Sequence, residues 1–177
     1  MYHLNNYKVW ALVLLTVGLL TDIFDGIIAR RLGVSTPFLR RLDSTVDQVF
    51  FITVAVATYI QCPLFFKTNS TQIIVLLGLE ALAYLICYLK FNKEIATHSI
   101  GAKIWTVLMF AMLVQVIWQC QSIVLFQLWF WVGILTRIEI VAIILLLKVW
   151  TNDVPTVYHA RLLSKGKPIK RHKFFNG

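Results

Sequence analysis

The chain is dominated by five long apolar segments, and most of its basic residues cluster at the ends of these segments. Hydrophobic residues make up 59% of the 177 positions and charged residues only 14%, whereas an average soluble protein has roughly 25% charged residues. A soluble core of this size could not bury that much apolar surface, so lipid is the expected solvent. We therefore predict an all-α, polytopic transmembrane helix bundle.

Each apolar segment is interpreted as one membrane span, because about 20 helical residues cross the hydrocarbon core. The approximate limits of the spans are 9–30, 42–62, 71–89, 103–119 and 123–149. Together they predict one transmembrane domain over residues 1–150. Residues 151–177 are predicted to form a basic cytoplasmic tail, with a short helix over about 154–163 that begins at the sequence Asp153-Val154-Pro155.

The net charge of +9 is distributed unevenly along the chain. If the five spans alternate in direction, 14 basic residues fall on one side of the membrane and only Lys8 and Lys67 on the other. The positive-inside rule then predicts that the N-terminus lies outside and the C-terminus in the cytoplasm. The basic residues are expected beside membrane lipids with anionic head groups. Nucleic acid is not expected as a partner, because the sequence has no stripe of basic residues interleaved with aromatic ones.

Four aspartates lie near the predicted cytoplasmic ends of the first two spans. Asp22 and Asp25 are three residues apart, and Asp43 and Asp47 are four apart, so each pair lies on one face of its helix. A loop of roughly a dozen residues is predicted to join the two helix ends. The acidic faces can therefore meet in a hairpin just inside the membrane. The alternative is that the aspartates only cap or flank helices in the interfacial zone.

Four carboxylates brought together repel one another unless a cation occupies the site. Oxygen ligands without histidine or cysteine favour Mg²⁺, Mn²⁺ or Ca²⁺ over zinc, and four of them can hold two ions and leave positions for phosphate oxygens. The guanidinium group of Arg30 can bind a phosphate with two parallel hydrogen bonds. Gly26 lets a bulky ligand approach the backbone. The segment therefore predicts a site for an amphiphilic diphosphate.

Glu80, Lys103 and Arg137 are among the charged residues that lie inside or at the start of the later spans. Charged groups in apolar spans are costly and are usually functional. Lys103 and Arg137 are candidate contacts for a phosphorylated acceptor. Glu80 is either a supporting residue near the acceptor pocket or a helix–helix contact, and Arg137 is one residue that could pair with it.

Two predictions concern the outer side of the membrane. Trp129, Phe130 and Trp131 are expected to belong to a lipid-facing aromatic belt. Cys62 and Cys120 are expected near the same outer face as small apolar residues at helix ends, and a disulfide between them is the less favoured alternative.

The acidic segment resembles the signature of the CDP-alcohol phosphatidyltransferases. That signature reads D-x-x-D-G-x-x-A-R, then eight residues, then G-x-x-x-D-x-x-x-D. Asp22-Ile23-Phe24-Asp25-Gly26-Ile27-Ile28-Ala29-Arg30 and Asp43-Ser44-Thr45-Val46-Asp47 match it at the same spacing. There are two departures. Leu39 stands at the second glycine, and family members usually have one more span before the acidic segment, so their usual first helix is expected to be absent here.

The resemblance implies a metal-dependent transfer reaction. Two Mg²⁺ or Mn²⁺ ions would be held by four ligands, Asp22, Asp25, Asp43 and Asp47. Asp47 would also be the general base of the reaction, and so the catalytic residue. The nucleotide and its phosphates would be bound by Gly26, Ala29 and Arg30. The acceptor alcohol would be contacted by Lys103, Arg137 and Glu80.

The resemblance also implies the partners. The donor would be a CDP-activated lipid such as CDP-diacylglycerol, the acceptor a small or lipid alcohol, and the released product CMP. The protein would be an integral membrane protein. By analogy with bacterial members of the family, this would be the cytoplasmic membrane, and the active site would lie at its cytoplasmic face. A homodimer partner or lipid would cover the flank left by the absent helix. Two alternatives stay open, a catalytically impaired relative and a cation-binding or transport protein that uses the same acids.

Overall fold

The structure, a computed structural model, describes residues 2–32, 37–95 and 99–169, and these ranges contain helices and no strand. Within the helices, the side chains at 2–6, 22, 23, 26, 29–31, 37–41, 43 and 44 lie outside the description. The all-helical prediction is confirmed for the described part of the chain. The helices are α1 (Tyr2–Leu32), α2 (Pro37–Gln61), α3 (Pro63–Thr68), α4 (Ser70–Phe91), α5 (Ile100–Gln119), α6 (Val124–Leu146) and α7 (Val157–Ser164).

Three of these helices are long and apolar enough to cross a membrane: α4 with 22 residues, α5 with 20 and α6 with 23. At about 1.5 Å per residue they are roughly 30–35 Å long, which matches a hydrocarbon core of about 30 Å. In α1 and α2, shorter apolar stretches cover Tyr7–Thr21 and Thr45–Gln61. The membrane character of the chain is therefore supported, and the number of five spans and their orientation stay predictions.

The ends of the long helices follow from local hydrogen bonds. The Ser99 hydroxyl accepts a hydrogen bond from the Ala102 N–H at 3.1 Å, which caps the start of α5. Asn92 adopts a left-handed conformation with φ 52° and closes the end of α4. Leu147 is extended, so α6 ends before the predicted limit at residue 149.

The chain forms two compact units. Unit 1 comprises Met1–Thr68 and Phe110–Ser122, and unit 2 comprises Asn69–Met109 and Ile123–Gly177. In unit 1, Leu15 of α1 and Thr58 of α2 are almost completely buried, and Phe65 of α3 is buried as well. All four aspartates of the acidic segment belong to this unit.

The connection between α1 and α2 is much shorter than the predicted loop of a dozen residues. α1 continues to Leu32 and α2 begins at Pro37, so only residues 33–36, which lie outside the described part, separate them. The prediction was wrong because it ended the helices where the apolar residues end. Arginines are good helix formers, and a proline is favourable in the first turn of a helix, so both helices extend past the apolar stretches.

Cys62 and Cys120 are joined by a disulfide, with their Cα atoms 5.2 Å apart. The preferred prediction, two unpaired cysteines, was therefore wrong. The bond ties the residue after α2 to the residue after α5. The sequence offered this pair only as the less favoured alternative, because 58 residues separate the two positions and only the packing of the helices brings them together. The third cysteine, Cys87, is free and buried.

Unit 2 is built around α6. One cluster of buried residues joins α4 to α6 through Ala83, Cys87, Ile140 and Ile144. A second joins the C-terminal segment to the end of α6 through Ile143, Leu147, Val154 and Ala160. At the same end, the Lys90 ammonium donates hydrogen bonds to the carbonyls of Ile144 and Leu145, where a cation is favoured by the helix dipole.

The C-terminal helix α7 begins at Val157, three residues after the predicted start. Asp153 is left-handed with φ 53°, and Thr156 is extended and directly precedes the helix. The backbone therefore leaves the helical region between these positions, so Asp153 does not serve as the predicted N-cap. The Pro155 carbonyl instead accepts a hydrogen bond from the Ile100 N–H at 3.1 Å.

The predicted aromatic belt is only partly correct. Trp131 is 60% exposed, whereas Trp129 and Phe130 are each 8% exposed and belong to the buried side of α6. Three consecutive helical residues point about 100° apart, so they cannot all face lipid. Trp129 lies one turn before Gly133, which is on the inner face of α6.

Candidate functional site

The four aspartates lie on two consecutive helices. Asp22 and Asp25 are both in α1, and Asp43 and Asp47 are both in α2. Since the backbone is helical at all four positions, each pair recurs on one side of its helix. The Asp25 side chain is exposed and that of Asp47 is half-buried. The side chains of Asp22 and Asp43 lie outside the described residues.

α1 and α2 meet closely where Gly18 faces Phe50. A Cβ atom at Gly18 would lie 2.7 Å from Cε1 of the Phe50 ring, so the ring occupies space that any other residue would fill. Gly18 precedes Asp22 and Asp25 by four and seven residues. Phe50 follows Asp47 and Asp43 by three and seven. Positions three, four and seven apart share a helical face. The acidic positions of each helix therefore lie on the face that contacts the other helix.

The burial pattern of α2 supports the same register for Asp47. Buried or half-buried side chains recur at Asp47, Phe50, Val54 and Thr58, in steps of three and four residues. This is the period of one helical face. The exposed positions of the same stretch include Val46, Val49, Ile52 and Val56. Asp47 therefore belongs to the inner face of α2 although it carries a charge.

A metal centre is not tested by the part of the chain that the structure describes. Among the described residues there is no group of three or more His, Cys, Asp or Glu side chains that could hold a metal ion, but two of the four proposed ligands, Asp22 and Asp43, fall outside that search. The donor set consists of carboxylates alone, which suits a hard cation such as Mg²⁺ or Mn²⁺. The metal ligands therefore stay a prediction.

The predicted phosphate-binding residues lie in the last turns of α1. Gly26, Ala29 and Arg30 are helical, and their side-chain positions lie outside the described part. Leu39, at the place of the family's second glycine, lies in the first turn of α2. What these residues bind therefore also stays a prediction.

In unit 2, Arg137 is held by two neighbouring side chains. Its Nε donates to Glu80 Oε2 at 2.6 Å, which links α6 to α4. Its guanidinium carbon lies 3.8 Å from the centre of the Trp105 ring. The same ring stacks on Trp129, and Trp105 Nε1 donates to the Trp129 carbonyl at 3.1 Å. Trp105 can insert here because Gly133 has no side chain, and a Cβ there would lie 2.7 Å from Trp105 Nε1.

This arrangement identifies a structural role for two of the three predicted acceptor contacts. Glu80 makes a helix–helix ion pair, one of the alternatives that the sequence left open, and Arg137 is its partner. Arg137 is only 7% exposed, so its charge is balanced locally by Glu80. Lys103 lies in the first turn of α5 and is exposed. A contact of any of the three with an acceptor stays a prediction.

We expect Arg137→Met to destabilise unit 2 by about 2 kcal/mol, because it removes a charge-assisted hydrogen bond to a Glu80 side chain that is 36% exposed. Denaturant titration of the protein in detergent micelles measures the loss. The double variant Glu80→Gln/Arg137→Met should lose less than the sum of the two single variants, because it removes both charges. Lys167→Met, which removes an exposed cation, is the control and should be neutral. Additive losses would contradict a direct ion pair.

Sequence reasoning missed Gly18, Phe50 and Trp105. A signal for the first two was present, since counting back four and seven residues from Asp22 and Asp25 leads to Gly18, and counting forward three from Asp47 leads to Phe50. Trp105 gave no such signal, because its contacts with Arg137 and Trp129 depend on the packing of α5 on α6.

Comparison with known proteins agrees with the resemblance of the acidic segment. No curated protein and no solved structure matches the chain significantly. The family model described as CDP-alcohol phosphatidyltransferase matches residues 1–138, which include both acidic pairs, Glu80, Lys103 and Arg137. Because this match covers most of the chain, the chain belongs to the CDP-alcohol phosphatidyltransferase family.

Proposed function

We propose that the protein transfers a phosphatidyl or related phospho-alcohol group from a CDP-activated lipid, such as CDP-diacylglycerol, to an acceptor alcohol and releases CMP. The reaction would take place at the cytoplasmic face of the membrane, as part of phospholipid biosynthesis. Membership of the family supports the type of reaction. The observation that supports the assignment of the site is the contact of Gly18 with Phe50. The acidic positions of each helix lie at helical spacings from these two residues, so they share the face of the contact.

The acidic positions suit an amphiphilic diphosphate. They follow the apolar stretch Tyr7–Thr21 in α1 and lie at the start of the apolar stretch Thr45–Gln61 in α2. A lipid whose tails lie beside the apolar stretches would therefore have its head group at the level of the acids. This supports an enzyme that works at the membrane interface more than a transporter, whose cation site is expected near the bilayer midplane.

Asp47 is proposed as the general base. Its carboxylate is half-buried on the inner face of α2, where it would accept the proton of the acceptor hydroxyl. A carboxylate can do this because the hydroxyl becomes acidic only as its oxygen attacks the β-phosphorus. The bond between that phosphorus and CMP breaks as the new bond to the acceptor oxygen forms.

The remaining residues of the acidic segment would bind and orient the donor. Asp22, Asp25, Asp43 and Asp47 would hold two Mg²⁺ or Mn²⁺ ions. When bound, these ions would neutralise the charge that develops on the diphosphate. Gly26 and Ala29 have small side chains, so the nucleotide can approach α1, and Arg30 would donate hydrogen bonds to a phosphate.

The acceptor is proposed to contact Lys103, Arg137 and Glu80. A guanidinium that a carboxylate and an aromatic ring already hold in place loses little freedom when it binds an anion. This favours Arg137 as a contact for a charged acceptor, with Glu80 as its positioning residue. Lys103 would supply a second cation at the start of α5.

The proposal is tested by release of CMP from CDP-diacylglycerol in proteoliposomes that contain the full-length protein. The acceptor panel is inositol phosphate, glycerol phosphate, serine and a diacylglycerol-type alcohol. With Mg²⁺ or Mn²⁺ we expect CMP with at least one acceptor, loss of the signal on chelation with EDTA, and recovery when the metal is added back.

The two alternative functions give different outcomes in the same preparation. A catalytically impaired relative would bind Mn²⁺, detected by electron paramagnetic resonance, but release no CMP with any acceptor. A transport protein would move Mn²⁺ into the proteoliposomes without CDP-diacylglycerol. Either result would overturn the proposed transfer reaction.

A further inference from the structure

The disulfide between Cys62 and Cys120 lies at one end of unit 1. It joins the residue that follows α2 to the residue that follows α5. Lys8 belongs to the same end, because its ammonium donates a hydrogen bond to the Trp118 carbonyl in the last turn of α5 at 2.8 Å. The N-terminal part of α1 and the C-terminal ends of α2 and α5 are therefore neighbours.

The acidic positions belong to the opposite ends of the same helices. Fourteen residues separate Lys8 from Asp22 along α1, and fourteen separate Asp47 from Gln61 along α2. At about 1.5 Å per helical residue, each interval is about 21 Å long. The hydrocarbon core is about 30 Å thick, so the disulfide end and the acidic end lie near opposite membrane faces if α1 and α2 cross the bilayer.

Disulfides form and persist in oxidising compartments, whereas cytosolic thiols are kept reduced. We propose that the Cys62–Cys120 end faces the non-cytoplasmic side of the membrane, and that the bond forms there after insertion of the chain. The disulfide is then a covalent link between α2, which carries Asp43 and Asp47, and α5, made on the face opposite the acids. Assembly of unit 1 thus includes an oxidation step outside the cytoplasm.

The bond requires a disulfide donor in that compartment, either a thiol oxidoreductase or a small-molecule disulfide. The thiolate of one cysteine attacks the donor disulfide, and one donor sulfur leaves as a thiolate. The second cysteine then attacks the mixed disulfide, which releases the other donor sulfur. In total two thiols lose two protons and two electrons, and the donor disulfide gains them and becomes a dithiol.

The distribution of charge supports the same orientation independently. The positive-inside rule places Lys8 and Lys67 with the minority of basic residues outside the cytoplasm. Lys8 contacts the disulfide end through Trp118, and Lys67 lies in α3, which follows Cys62 directly. The chemistry of the cysteines and the count of basic residues therefore predict the same face.

The proposal is tested by labelling thiols in intact host cells with a membrane-impermeant, polyethylene-glycol-linked maleimide, which shifts the protein on a gel. A Cys87→Ser background removes the third cysteine. We expect no shift before reduction, and a shift of two labels after treatment with a membrane-impermeant phosphine. A Lys165→Cys variant in the same background is the cytoplasmic reference, and its additional thiol should react only after the cells are permeabilised.

A second variant keeps the test decisive if the reductant does not reach the bond. In Cys62→Ser/Cys87→Ser, Cys120 is left as a single half-buried thiol, which should react with the maleimide in intact cells. Labelling of Cys120 only after permeabilisation would overturn the proposed orientation. Two labels on the Cys87→Ser protein without reduction would overturn the bond itself. Neither readout depends on CMP release, so failure of the proposed transfer reaction is seen separately.

The Cys62→Ser/Cys120→Ser protein should unfold at a Tm lower by about 10 °C, because a link across a long loop is lost. The same fall in Tm should follow when the wild-type protein is reduced. No change in Tm after complete reduction would contradict a stabilising role of the link.

Discussion

Asp47→Asn is expected to lower the rate of CMP release by about a thousandfold. A general base contributes about 10²- to 10⁴-fold to a reaction, and the variant also removes one charged ligand from the proposed metal site. Asparagine has nearly the same shape as aspartate, so the half-buried position on the inner face of α2 keeps its packing. The rate is measured in proteoliposomes at saturating CDP-diacylglycerol, with the best acceptor of the panel.

The control for this variant is Glu94→Gln, which makes the same change from carboxylate to amide at an exposed position. It should release CMP at the wild-type rate. Both variants should keep the wild-type Tm to within about two degrees, which separates loss of chemistry from loss of folding. If folded Asp47→Asn retains more than a tenth of the wild-type rate, Asp47 is not the general base.

Gly18→Leu is expected to lower CMP release by about a hundredfold, although it changes no charged or polar group. Its side chain would enter the space of the Phe50 ring, since even a Cβ would lie 2.7 Å from Cε1 of that ring. Part of the clash can be relieved by rotation of the ring, and the rest must move α1 away from α2. A misplacement of about 1 Å in an active site can lower the rate 10²-fold.

A compensating change makes this prediction specific. Phe50→Ala removes the ring. The double variant Gly18→Leu/Phe50→Ala should therefore release CMP at least ten times faster than Gly18→Leu. Gly78→Leu is the matched control, because a Cβ at this helical glycine of α4 would meet nothing within 4 Å. Equal loss in the single and double variants would show that the Gly18 contact does not set the spacing of the acidic helices.

The long helices could be predicted well because their signal is local. The limits of α4 and α5 lie within three residues of the predicted spans, since apolar length determines where such helices form. The junction of α1 and α2 could not be predicted in this way. There the helices continue through charged residues, whose helix propensity is high although their hydropathy is low.

The same difference between local and long-range features applies to the candidate site. The acidic positions and their spacing are visible in the sequence because residues three and four apart share a helical face. The contacts between helices are not visible, because they depend on which faces pack together. The Arg137–Glu80 pair was one of several alternatives, and the Cys62–Cys120 bond was judged less favourable than free thiols. The contacts of Trp105 with Arg137 and Trp129 were not anticipated.

The hydrogen bond from the Ile100 N–H to the Pro155 carbonyl has a mechanical consequence. Val154 is fully buried beside it, and Ala160 anchors α7 against the end of α6. A pull on the chain beyond Ser164, whether from a ribosome, a membrane surface or an attached partner, is thus transmitted first to α6 and to the opening turn of α5. Tension at the C-terminus would therefore act on the turn of α5 that carries Lys103.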